Sequence, residues 1–390
     1  MKLVFAVDAI FPPLTGIGRY ALELAARLPQ YPEIEALKYH TLGRWVDDPT
    51  SLLPPAAQSS ITSPGQIMAS MRRWLSQKKI GVRAYARISP AWKGWQLRSC
   101  KDWVYHSPNF FLPPLPGPGV ATVLDLSIYH YPETHPAARR LLFELDFAKS
   151  LRRAQHLITP SEAVRQEVME RFAWPADRIT ATPLGVAPCF RPRPADELAP
   201  LLAQWHILPG RYALCVATIE PRKKIDRLLQ AYDLLPLPLR RNFPLVLAGG
   251  RGWLSDALHE RITRATTEGW LKYLGFVSDG QLLDLYAGAR LFAYPSIYEG
   301  YGLPVVEAMA SGVPVLTSNK SCLPEVAGGA ALLTDPDDID VFRANLERGL
   351  TDDDWRQSAI AGGLAVAARA TWDNCAARTV EVYQRVAASS

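Results

Sequence analysis

The chain has 390 residues, 48% of them apolar and 21% charged, with a formal net charge of +5. Those values lie near the averages for soluble globular proteins, and this length favours two domains over one core. Extensive disorder is excluded, and no apolar run approaches the roughly 18 to 20 residues that cross a bilayer as a helix.

In chain order, LVFAVD (Leu3–Asp8) reads as a buried first strand. Five apolar residues between Met1–Lys2 and an acid, Asp8, are too few for a signal peptide. In PPLTGIGRYALEL (Pro12–Leu24), Gly16, Gly18 and Ala21 spell G-x-G-x-x-A, a variant of the dinucleotide fingerprint. That fingerprint opens directly at its strand end, whereas AIFPPLT intervenes here. The next strand, EALKYHTL, lacks the acid that would hold a ribose. An NAD-dependent oxidoreductase therefore fits poorly. Gly16 and Gly18 read instead as a bare loop tip before a helix, directed at some other phosphate.

Thr50–Gly65, rich in Pro, Ser and Ala, reads as a flexible loop. Ser70–Trp103 then holds nine basic residues and one acid, with Trp74, Trp92, Trp95 and Trp103 interleaved. Cations beside indoles suit an anionic membrane surface better than nucleic acid, the competing partner. A solvated surface helix with ordinary core tryptophans is the plain alternative. Charge is uneven along the chain: residues 1–187 carry 22 Lys+Arg and 15 Asp+Glu, a net of +7 that leaves −2 for the remainder.

WVYHS, VATVLDLS, a helix over Ala137–Arg153, HLITPS, and a helix over SEAVRQEVMERF capped by Ser161 continue a βαβ alternation. PLGVAPCFRPRPADELAP, with five prolines, reads as a connector. The alternation then restarts with YALCVATI, FPLVLAGG, WLKYLGFV, RLFAYPS and VPVLTS, separated by helices. The expectation is two doubly wound α/β domains facing a cleft, with ligands at the carboxyl ends of the strands. The five cysteines lie far apart, without a C-x-x-C pair, and read as small buried hydrophobes in a reducing cytosol.

The densest chemistry is YPSIYEGYGLPVVEAMASGVPVLTS (Tyr294–Ser318). A strand ending near Ser296 is followed by a Gly300/Gly302 loop, Pro304 at helix position N1, and Gly312 beyond the helix end. Glu299 falls in the loop and Glu307 in the first helical turn. Such a helix start suits phosphate, and its carboxylates suit sugar or ribose hydroxyls. Upstream, EPRKK places Arg222, Lys223 and Lys224 just after a strand, where cations suit a diphosphate that gains charge as it leaves.

These residues resemble the retaining family-4 glycosyltransferases, which have the GT-B architecture of two Rossmann-like domains. EPRKK, LAGG and YLGFVSDGQLLDLYAGARLFAYPSIYEGYGLPVVEAMASGVPVLTS carry the resemblance most densely, over Val216–Asp335. TGIGRY, LITPSEAVR and PLGV add to it, particularly toward bacterial polysaccharide mannosyltransferases. TWDNCAARTVEVYQRV is similar to the helix that crosses back to the first domain. The implied division is 1–187 plus 373–390 for the acceptor-side domain and 188–372 for the donor domain.

The resemblance implies roles residue by residue. Glu307 would hold the ribose hydroxyls of the donor nucleotide and Glu299 would contact the donor sugar. Gly300, Tyr301, Gly302 and Leu303 would lie near the sugar and phosphates, and Phe276 and Val277 would line the base pocket. Lys223 with Arg222 would neutralise the diphosphate, and Gly16 would let the first domain's loop approach it. Two departures matter: Ala217 stands where many relatives have an arginine, and Leu124 where they have a histidine, leaving Asp125, or His130 nearby, to serve on the acceptor side.

The implied reaction moves a hexose from a GDP-linked donor, mannose or a relative such as rhamnose, with UDP-sugars open. The implied acceptor is a lipid-linked oligosaccharide of cell-surface polysaccharide synthesis, met at the inner face of the cytoplasmic membrane. No metal is called for, and no cofactor is expected. A nucleotide-sugar-binding homologue that has lost transfer is the non-catalytic alternative, for which Ala217 and Leu124 are the warning signs.

Overall fold

The structure, a computed structural model, describes residues 1–12, 14–41, 43–53, 79–252 and 255–389. It divides into two compact units, Met1–Pro183 with Trp372–Ser390, and Leu184–Thr371. The division falls after Pro183, the first residue of the proline-rich connector, rather than after residue 187. The Val186 amide donates to the Ala370 carbonyl, which ties the stretch after Pro183 to the second unit.

In the first unit, β1 (Lys2–Ala6), β2 (Ala36–Thr41), β3 (Arg44–Val46), β4 (Trp103–Ser107), β5 (Gly119–Thr122), β6 (His156–Thr159) and β7 (Ile179–Ala181) form one sheet. Its order is β3-β2-β1-β4-β5-β6-β7, parallel throughout except for β3. Strands such as β5 and β6 are buried along their whole length, the consequence of helices on both faces. The C-terminal helix Trp372–Ala388 belongs to this unit: Trp372 packs on Tyr20, Asp373 pairs with Arg27 at 2.6 Å, and the Tyr383 hydroxyl meets His106 Nδ1 at 2.5 Å.

Gly16 and Gly18 do not form a loop tip. Both lie in the first turn of the helix Gly16–Arg27, because Thr15 is its N-cap and accepts from the Gly18 amide at 3.3 Å. A Cβ on Gly18 would come within 2.8 Å of the Ala9 carbonyl oxygen, so that glycine serves close packing of the helix start against the loop after β1. Ser161 caps Glu162–Phe172 as its sequence predicts, accepting from the Val164 amide.

In the second unit, β8 (Ala213–Val216), β9 (Leu245–Ala248), β10 (Leu271–Gly275), β11 (Leu291–Tyr294), β12 (Val315–Ser318) and β13 (Ala331–Thr334) are all parallel, in the order β10-β9-β8-β11-β12-β13. The connector is less irregular than its prolines imply: Ala195–Leu202 is a helix whose Leu198 and Leu202 are buried. Pro200 sits inside that short helix. The chain order reverses between β8 and β11, and crevices at such switch points bind ligands in open α/β sheets. EPRKK follows β8 and IYEGYG follows β11, so both motifs flank that point.

The cysteine expectation holds for Cys100, Cys215, Cys322 and Cys375, which are buried and free. It fails for Cys189, which is exposed in the connector.

Candidate functional site

After β8, Pro221–Lys223 makes one tight turn, and Lys224 takes a left-handed conformation (φ +49°) before the helix Ile225–Asp233. This turn is stitched to the loop after β11, because the Arg222 carbonyl accepts from the Ile297 amide at 3.1 Å and from Ser296 Oγ at 3.3 Å. The stitching brings Arg222, Lys223 and Glu299 together. Lys223 Nζ lies 2.5 Å from Glu299 Oε1, and Arg222 Nη1 lies 3.2 Å from Glu299 Oε2. Two residues that sequence reasoning passed over complete the cluster. Glu220, buried, pairs with Arg222 Nη2 at 2.8 Å. The buried Tyr294 hydroxyl accepts from Lys223 Nζ and donates to Glu299 Oε1, both at 2.9 Å. Glu220 stands inside the EPRKK motif and Tyr294 is the last residue of β11, so position next to the motif was the available signal.

Glu299 is therefore no solvated loop acid. Its residue is 8% exposed. Burial acts to raise its pKa, but Lys223 and then Arg222 outweigh that effect and hold it at about 2. It is a carboxylate at any physiological pH, offering two charged acceptors. Burial first, then the Glu299 charge, push the Tyr294 phenol well above its ordinary range, so that hydroxyl stays a donor. Lys224 stands apart, paired with Asp337 at 3.2 Å.

The strand β11 ends at Tyr294, ahead of the expected Ser296, and Glu299, Gly300 and Tyr301 lead into the helix Leu303–Ala310. Gly302 is its N-cap at φ +95°, where a side chain is strained and a Cβ would meet Leu323 Cδ2 at 2.9 Å. Leu303 is thus N1 and Pro304 N2, one place later than the sequence predicts. Glu307 accordingly sits in the second turn, not the first, and is buried. It lies beside Tyr286, whose phenol is pushed well above its usual range by burial first and by the Glu307 charge second. Gly312 follows the helix at φ +74°, as expected.

Phe276 and Val277 follow β10, the edge strand, two strands removed from β8. Phe276 is 71% exposed and Val277 half-buried.

In the first unit, Gly16 is exposed at the helix start. Asp125 Oδ1 accepts from the Ser127 amide at 2.9 Å and from Ser127 Oγ at 2.6 Å, and the buried His135 contacts that hydroxyl through Nε2 at 2.9 Å. His130 is exposed and lies 3.3 Å from Glu167. Asp125 and His130 thus have separate partners. Leu124 is buried.

Part of the basic segment lies outside the described residues, including Arg72, Arg73, Trp74 and Lys78. The rest contributes the helix Lys79–Leu97. Trp92 and Trp95 stack at 5.4 Å, each about half exposed, with Arg98 at 4.4 Å over the Trp95 ring. Arg87, Ile88 and Ala91 join them around an open concavity of about 470 Å³. Lys93 does not contribute, since it turns inward to Asp8 at 2.5 Å, and Trp103 is half-buried in β4 with Lys38 over its ring. Among the described residues no helix is long and apolar enough to cross a membrane.

The family of glycosyl transferases group 1 matches residues 206–364, a span containing the whole Glu299 cluster. The O-antigen chain mannosyltransferase B of Escherichia coli is 43% identical over 384 residues, covering 98% of this chain and 100% of that protein. The chain belongs to the group 1 glycosyltransferases. As such it is an enzyme and not a nicotinamide-dependent oxidoreductase. Among solved structures, this glycosyltransferase is similar to WaaG, a glycosyltransferase involved in lipopolysaccharide biosynthesis, with a TM-score of 0.68 and 16% identity over 97% of this chain and 99% of that one. It is also similar to HepE of Anabaena in complex with UDP-glucose, with a TM-score of 0.68 and 18% identity over 99% and 100%. At these identities the likeness establishes the fold, the GT-B architecture of two Rossmann-like domains.

Proposed function

We propose that this glycosyltransferase moves mannose, or a closely related hexose, from a GDP-linked donor to a lipid-linked oligosaccharide in O-antigen synthesis, with retention at the anomeric carbon. The observation that carries the reading is the buried Glu299 carboxylate set between Lys223 and Arg222 at the β8 and β11 strand ends. The O-antigen mannosyltransferase relative supports the sugar and the pathway class, and the HepE complex supports a nucleotide-sugar donor.

In this reading Glu299 accepts hydrogen bonds from donor-sugar hydroxyls, and Glu307 accepts from the ribose. Lys223 and Arg222 neutralise the diphosphate as the anomeric C–O bond breaks, helped by the chain from Gly300 to Leu303 at the helix start. The acceptor oxygen bonds the anomeric carbon on the same face, and its proton passes to the departing phosphate oxygen. The products are the nucleoside diphosphate and the glycoside, with no protein nucleophile. Arg222 takes over from the arginine missing at Ala217, and the two cations do the work a metal would do. Phe276 and Val277 contact the base. Gly16 approaches the diphosphate, and Asp125, with His130, acts toward the acceptor. The lipid-linked acceptor is met at the inner face of the cytoplasmic membrane, where Trp92, Trp95 and Ile88 enter the headgroup region and Arg87 and Arg98 meet anionic phosphates.

A panel of nucleotide sugars in thermal shift, followed by mass spectrometry of released GDP or UDP with a lipid-linked acceptor, tests the reading. GDP-mannose or GDP-rhamnose should stabilise the protein and release GDP. Release of UDP alone overturns the donor assignment. Donor stabilisation without turnover on any acceptor favours a binding protein. For the membrane contact, anionic vesicles should bind the wild type at low salt and bind Trp92→Ala/Trp95→Ala weakly. Failure of the wild type to bind removes that part.

A further inference from the structure

The loop bearing Glu299 is held from behind by two residues that follow β12. Ser321 Oγ donates to the Glu299 carbonyl at 2.6 Å and accepts from the Glu299 amide at 3.2 Å, so one hydroxyl bridges both backbone groups of that residue. Cys322, fully buried, places Sγ 3.1 Å from the same carbonyl and 3.2 Å from that of Tyr301. Burial, with the Glu299 charge second, pushes the Cys322 thiol well above its usual range, so it remains an S–H donor to these carbonyls.

Ser321 adopts φ +56°, in the left-handed region that glycine enters freely and side chains resist. A strained serine there means that its side chain offsets the backbone cost, and the offset in view is the two-way clasp on Glu299. Strain of this kind persists where the surroundings over-determine it, and such positions cluster at functional sites. The clasp fixes the Glu299 peptide on both sides. The carboxylate is thereby registered against Lys223, Arg222 and the Tyr294 hydroxyl.

We propose that Ser321 is a positioning residue for sugar transfer, its hydroxyl fixing the Glu299 backbone so that the carboxylate meets the donor sugar in register. The inference rests on the reading of Glu299 as a donor contact. It sets hydroxyl chemistry against backbone strain, which allows the two to be separated. Ser321→Ala and Ser321→Gly both remove the hydroxyl, but only glycine relieves the strain. Ser321→Thr keeps the hydroxyl and adds a β-branch that the left-handed region disfavours.

Thermal midpoints and steady-state kinetics with the nucleotide-sugar donor are measured for all three variants and for Glu299→Gln. Stability should rank glycine above alanine, because both lose the clasp and only glycine sheds the strain, while threonine keeps the clasp against the cost of its β-branch. Activity should instead follow the hydroxyl. Threonine stays near wild type, while alanine and glycine each lose about tenfold in kcat/KM, the worth of about one hydrogen bond. Activity that ranks with the midpoints overturns the proposal, because the residue would then serve stability alone. Wild-type rates in Ser321→Ala and Ser321→Gly, alongside a loss in Glu299→Gln, overturn it while leaving the Glu299 reading intact. A silent Glu299→Gln overturns both.

Discussion

Replacing Lys223 with alanine probes the cluster through both stability and catalysis, because its ammonium is the shortest contact of the Glu299 carboxylate. Burial acts to raise the Glu299 pKa, and Lys223 with Arg222 reverses this, taking it from 4.5 to about 2. A carboxyl group whose folded pKa is depressed adds stability that is complete above its unfolded pKa and is lost as pH falls through the folded value. The change from 4.5 to about 2 corresponds to about 3 kcal/mol, present above about pH 5 and fading toward about pH 2. In Lys223→Ala the leading opposing charge is gone and burial pushes the carboxyl upward. The variant should be less stable at neutral pH by up to about 3 kcal/mol, since Arg222 still holds part of the shift, with the gap closing as both proteins are acidified. Urea unfolding of the two proteins by tryptophan fluorescence, from about pH 7 down to about pH 3, measures that gap. A gap that stays constant over this range refutes the electrostatic reasoning. Nucleoside diphosphate release should fall by about 10²–10³ in kcat/KM, as for loss of one charge-stabilising donor. Rates within a factor of about two would remove Lys223 from the mechanism.

Three further outcomes follow from the geometry. Glu307→Gln should raise the donor KM about tenfold with little change in kcat, since ribose contacts are alike in ground and transition states; calorimetric titration with nucleoside diphosphate checks the affinity, and an unchanged value counts against the ribose role. Arg222→Lys cannot span Glu220, Glu299 and the Tyr298 carbonyl at once, so kcat/KM should drop about 10- to 100-fold with the charge retained; a wild-type rate would show that charge alone suffices. Gly18→Ala brings a methyl to 2.8 Å from the Ala9 carbonyl and should cost about 1–3 kcal/mol, seen as a lower thermal midpoint. An unaltered midpoint would mean that the loop after β1 yields.

The sequence made the alternation of strands and helices legible because parallel strands covered on both faces read as short apolar runs, as in LVFA and LFAY. It also located Arg222, Lys223 and Glu299, since cations and an acid cluster at strand ends within a recognisable motif. Pairing across 76 residues was hidden. EPRKK was read as cations awaiting a phosphate, and only the fold shows that Glu299 and Glu220 already satisfy them. Glu307 was placed one position early in the helix because the N-cap depends on the φ of Gly302, which residue identity does not fix. Ser321 had no signal at all, as its role depends on a positive φ and a carbonyl 22 residues away. The Thr15 cap was passed over because the glycine pattern drew the reading toward a loop.

On the proposed donor reading, the balance of Glu220 and Glu299 against Arg222 and Lys223 bears on which nucleotides the enzyme would ignore. Two acids and two cations leave the cluster without net attraction for a bare phosphate. A free nucleoside triphosphate brings anionic oxygens to the cations but nothing to the carboxylates, and Glu299 repels it. A sugar diphosphate brings both: hydroxyls for Glu299 and oxygens for Lys223 and Arg222. On the proposed reading, selection of the donor over the crowd of cellular nucleotides would rest on the resting charge of the site, before any base is inspected.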